Sequence, residues 1–87
     1  MNKSSYTIYG DNMDKSQTDK YEKFGLNVAY YRRMRKLTQE QLAEMVSIDR
    51  THMSNIELAR TGASLDVVFR LADALEVPVQ KLFEFRD

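Results

Sequence analysis

Eighty-seven residues allow one small domain, and no cysteine is present to supply a disulfide or a thiolate metal ligand. Thirteen basic residues balance thirteen acidic ones, which excludes a chain that holds nucleic acid by bulk charge alone. No apolar run nears the ~18 residues of a membrane span, and the start lacks the apolar core of a signal peptide, so a soluble, cytoplasmic protein is expected.

Residues 1–21 are polar and mixed, with a turn signal at Gly10, Asp11 and Asn12. Residues 5–9 have the composition of a short strand, but one strand cannot stand alone. The segment reads as a flexible N-terminal extension, with an arm toward a partner subunit or DNA as the alternative. The remaining residues, 22–87, form the domain.

The first helix is expected over about residues 21–36. Phe24, Val28 and Tyr31 fall on one face of it, while Leu26, Tyr30 and Met34 lie off that stripe. Arg33, Arg35 and Lys36 gather at its C-terminal end, where they suit the helix dipole.

Residues 38–57 read as two short helices joined by a tight turn. Thr38 and Gln41 have the spacing of a capping box. Leu42, Ala43 and Val46 give the second helix its apolar face. Asp49 is an N-cap for the third helix, which buries Met53 and Ile56. Arg50, Thr51, His52, Ser54 and Asn55 remain as its polar side. Ser47 sits in the turn; a left-handed backbone there would cost a serine roughly 1 kcal/mol relative to glycine.

After the loop 58–63, with Gly62 as its flexible point, Ser64 caps a fourth helix. Leu65, Val68, Leu71, Ala72 and Leu75 are expected as its core stripe, leaving Val67 and Phe69 as surplus apolar residues. A fifth helix starts near Pro78, which a first turn tolerates. Val79, Phe83 and Phe85 make this end unusually apolar for so small a core. With Phe69 they are the candidates for covering a second subunit. The expected class is all-α, with five helices and no convincing strand set.

Charge is uneven along the chain. Residues 29–60 carry six basic against four acidic side chains, and residues 61–87 carry three against five. A basic face and an acidic back follow. Catalysis is not expected. His52 is the only histidine, no second ligand type accompanies it for a metal, and there is no glycine-rich phosphate loop. No cofactor or small-molecule ligand is implied.

The 38–57 stretch resembles the helix-turn-helix of the lambda-repressor-like (Cro-type, XRE) DNA-binding family. The residues that carry the likeness are Gln39, Leu42, Ala43, Val46, Ile48, Met53 and Ile56. The flanks agree: Arg32, Leu37 and Thr38 before, and Leu65, Leu71, Leu75, Val77, Leu82 and Phe83 after. Two positions depart from it. The family has glycine where this chain has Ser47, and Asn-Gly where it has Leu58 and Ala59. Residues 49–57 also look like the recognition helix of restriction–modification controller proteins.

The resemblance implies a five-helix lambda-repressor-like domain. It implies a dimeric transcriptional repressor reading a palindromic double-stranded DNA operator with the helix over residues 49–58. Arg50, Thr51, His52 and Asn55 would reach base edges, and Gln39 and Arg60 would hold phosphates. Arg32 would pair with Glu57. The alternative is a protein-interaction module of the same fold, antitoxin-like or coactivator-like.

Overall fold

Three of the α-helices in the described residues open on a polar side chain that accepts from a first-turn amide left without an intrahelical acceptor, while the long first helix continues instead from a capped 3₁₀ turn. In the computed structural model, which describes residues 13–85, Asp14 caps a 3₁₀ turn, Lys15–Gln17, by accepting from the Ser16 amide and hydroxyl. That turn runs directly into α1, Thr18–Met34, so the first helix begins at Thr18 rather than near residue 21. The residue 5–9 segment lies outside the described residues.

Thr38 and Gln41 cap α2, Gln39–Met45, reciprocally: the Thr38 hydroxyl accepts from the Gln41 amide at 3.0 Å and the Gln41 side chain accepts from the Thr38 amide at 2.8 Å. Asp49 caps α3, Arg50–Glu57, by accepting from the His52 amide at 2.7 Å. Ser64 caps α4, Leu65–Leu75, through the Val67 amide at 3.2 Å.

All four helices end in the same way. Lys36, Ser47, Ala59 and Glu76 stand in the left-handed region at φ 58°, 63°, 60° and 60°. The next amide in each case reaches back five residues: Leu37 to Arg32, Ile48 to Ala43, Arg60 to Asn55 and Val77 to Ala72. This is the Schellman termination, which usually recruits glycine. Here no glycine fills it. Leu37, Ile48 and Val77 turn partly buried apolar side chains back onto the core. Arg60, the exception, stays exposed.

The core is built from one face of each helix. Phe24 and Val28 of α1 meet Leu42, Ala43, Val46, Met53 and Ile56 from the two short helices. Leu71, Ala72 and Leu75 of α4 close it with Leu82. Two positions of α4 correct the expected stripe. Val67 is buried and Leu65 is 67% exposed. The buried face runs through Val67, Val68, Leu71, Ala72 and Leu75; Leu65 stands a quarter-turn away from its centre and shares an outer edge with Phe69.

The described residues contain four α-helices and no strand. The segment expected as a fifth helix is a 3₁₀ turn, Val79–Phe83. Pro78 enters it extended and Glu84 leaves it extended, so five residues are too few for an α-helical ladder to form. Asn27, buried on α1, holds this strap by donating to the carbonyls of Leu82 at 3.0 Å and Glu84 at 3.2 Å. Phe24 and Phe83 stack alongside, with centroids 5.3 Å apart.

Candidate nucleic-acid interface

The turn between α2 and α3 is short because Ser47 reverses the chain in a left-handed conformation and Ile48 tucks onto the core. Arg70 of α4 braces it from behind, its Nε donating to the Val46 carbonyl at 2.9 Å. Ala43 is buried, and its lack of bulk lets the two helices pack closely.

Gly25 fixes the approach of α1 to the end of α3. A Cβ there would lie 2.5 Å from the Glu57 carbonyl oxygen and 2.6 Å from that of Ile56. Only a residue without a side chain fits. Helical periodicity singles out neither Gly25 nor Asn27. Both interrupt the apolar face of α1, and that interruption was the available signal.

Arg32 grips Glu57 through two hydrogen bonds. Nε donates to Oε2 at 2.7 Å and Nη2 to Oε1 at 3.1 Å. Nη1 donates to the Leu37 carbonyl at 2.9 Å, so the guanidinium also holds the end of α1. Gln39 joins this network: its Nε2 donates to Glu57 Oε1 at 2.9 Å. The Gln39 amide is therefore not a free surface group; α1, the start of α2 and the end of α3 meet on one carboxylate.

With Met53, Ile56 and Glu57 turned inward, helical geometry places Thr51, Ser54, Asn55 and Leu58 along the opposite side of α3. Arg50 and Thr51 are exposed, and His52 and Asn55 are half-exposed. Arg60 lies just beyond the helix end, exposed. Two arginines drop out of the basic set. Arg32 is consumed by Glu57, and Arg35 donates to the carbonyls of Leu75 and Glu76 at the end of α4 and pairs with the Glu76 carboxylate at 3.3 Å. Arg33, Lys36, Arg50 and Arg60 remain exposed and make no ion pair among the described residues. The arrangement is a helix anchored along one side, with mostly polar side chains on the other and an exposed arginine at each end, Arg50 and Arg60.

The four apolar candidates for a subunit contact separate into two kinds. Phe69 is 50% and Phe83 49% exposed, whereas Val79 and Phe85 pack partly against the core. Phe83 and Phe85 edge an open apolar groove of about 410 Å³, with Tyr21, Phe24, Leu65 and Val68 among its other walls. Among the described residues no acidic or histidine cluster could hold a metal ion, and no helix is long and apolar enough to cross a membrane.

A family model described as helix-turn-helix matches residues 28–82. The chain is 39% identical over 56 residues to Control protein C.SmaI of Serratia marcescens, a match covering 64% of this chain and 67% of that one. Among solved structures it is similar to the restriction-modification controller protein C.AhdI from Aeromonas hydrophila, with 32% identity and a TM-score of 0.70 over 72% of this chain and 96% of that one. It is also similar to the hypothetical transcription factor NHTF from Neisseria, with 27% identity and a TM-score of 0.73 over 85% and 83% of the two chains.

Proposed function

The chain belongs to the helix-turn-helix family of transcription regulators, and from that premise we infer that it is a homodimeric repressor that reads a palindromic operator through α3. The observation that carries this reading is the outer face of α3. Thr51 and Asn55 project from a helix whose other side is locked to α1 and α2 by the Arg32–Glu57–Gln39 network, and Arg50 stands exposed at its N-terminal end. A helix held this firmly can be laid in a major groove, where each base pair shows its own donor and acceptor pattern.

Arg50 has the fork to bind a guanine at O6 and N7. Asn55 can bridge an adenine and Thr51 can touch a thymine methyl; the Nε2 of His52 is buried, so that ring must turn outward before it can donate to a base or to the backbone. Gln39, through the second hydrogen of its amide, and Arg60 serve phosphates and fix the register. Two-fold pairing would set two copies of α3 about 34 Å apart, one DNA turn. Repression then needs nothing more than occupancy of the operator. The likeness to C.SmaI and C.AhdI supports a controller role beside a restriction–modification system.

Selection from a random double-stranded DNA pool tests the reading. It should return one inverted repeat bound well above random DNA. If no sequence is preferred, the domain works on a protein partner instead.

A further inference from the structure

Leu58 is 56% exposed on the outer face of α3, the face that the proposed function turns toward DNA. It lies seven residues after Thr51, which returns it to almost the same angular position two turns along the helix axis. An exposed leucine on an ordinary surface needs no explanation. This one lies between Asn55 and Arg60 on the outer face of α3, and it is not among the residues packed against the core. Its backbone is fixed as well. The Leu58 amide bonds back to Ser54 at 3.0 Å, and the left-handed Ala59 that follows stops the helix. The side chain is thus presented at a defined place with more than half of its surface open to solvent.

We propose that Leu58 is a specificity residue that reads the C5-methyl group of a thymine. The chemistry follows from what the major groove offers. An aliphatic side chain cannot bond to the donors and acceptors on base edges or to phosphate oxygens. The thymine methyl is the apolar group on a base edge there. Leu58 lies ~10.5 Å beyond Thr51 along the helix axis, too far for both side chains to touch the same base. The base it reads is therefore a different one from those that Thr51 and Arg50 meet. This inference rests on the DNA-binding reading and adds one base position to it.

The test uses the full-length protein and the operator obtained by selection. Each thymine is replaced singly by deoxyuridine, which removes only the methyl group. Binding is measured for the wild type, Leu58→Ala and Thr51→Ser. One thymine in each half-site should lose about three- to fivefold of wild-type affinity on replacement, as expected for burying a single methyl. Leu58→Ala should lose a similar factor on the intact operator and nothing more on the deoxyuridine operator. Thr51→Ser should stay sensitive to that thymine, which assigns the methyl to Leu58. If Leu58→Ala weakens every operator alike and no thymine couples to it, the residue reads no base and the inference fails while specific binding stands. If the wild type prefers no sequence, the DNA reading and this inference fall together.

Discussion

Arg32 and Glu57, twenty-five positions apart in the chain, meet in a bidentate ion pair whose side chains are 11% and 4% exposed. Water cannot replace either partner at that depth. Arg32→Met or Glu57→Leu alone should therefore cost ~3–5 kcal/mol, because each leaves a buried charge without its counterpart. The double substitution should cost far less than the sum. Urea denaturation of the four proteins measures the coupling. A single substitution costing under ~1 kcal/mol would mean the pair behaves as a solvated one.

Gly25→Ala sets two effects against each other. Alanine favours the helix by ~1 kcal/mol. The added carbon, however, would stand 2.5 Å from a backbone oxygen of α3, which has no rotamer to escape into. The clash should win, with a net loss of ~1–3 kcal/mol. Thermal denaturation decides the sign, and a stabilised Gly25→Ala would show that the two helices can separate at little cost.

Ser47→Gly and Ala59→Gly should each stabilise the fold by ~0.5–1 kcal/mol. A left-handed backbone strains both present residues, and glycine recovers more than its extra chain entropy costs. The two sites lie at the ends of different helices, so the gains should add. Chemical denaturation of the single and double variants checks this.

Arg50→Ala and Gln39→Ala should weaken DNA binding in different ways. Arg50→Ala should cost ~1–3 kcal/mol on the preferred site and relax selectivity at one base pair. Gln39→Ala should weaken all sequences evenly. It should also lower the melting temperature of the free protein, since its bond to Glu57 contributes ~0.5–1.5 kcal/mol. Titration against single-base variants, beside a melt without DNA, separates the two roles.

Phe69→Glu should abolish self-association and leave the monomer folded, because half of that side chain already faces water. Leu65→Glu should act alike. Phe83→Ala should do both kinds of damage, since the ring also stacks on Phe24. Sedimentation at micromolar concentration with a parallel circular dichroism spectrum tells these cases apart. A Phe69→Glu protein that still associates would move the subunit contact elsewhere.

The sequence by itself determined the features that depend on a few neighbouring residues. Thr38 with Gln41, Asp49 and Ser64 mark three helix starts because a cap bonds to an amide two or three positions away. The apolar spacing of Leu42, Val46, Met53 and Ile56 follows from the helix period alone. A left-handed Ser47 is open there only as a condition, suggested by the glycine that the resembled family has at that position, and the structure supplies it. Tertiary structure decided the rest, because those choices depend on partners remote in the chain. Val67 rather than Leu65 faces inward according to how α4 lies on the core. The short 3₁₀ strap over residues 79–83 is held in place by Asn27, which donates to Leu82 and Glu84. Arg35 serves the end of α4. Gly25 is required only because α3 passes within contact of it. Gln39 reaches Glu57 only after α2 and α3 have packed, and that three-dimensional meeting fixes α3 against α1 and the start of α2.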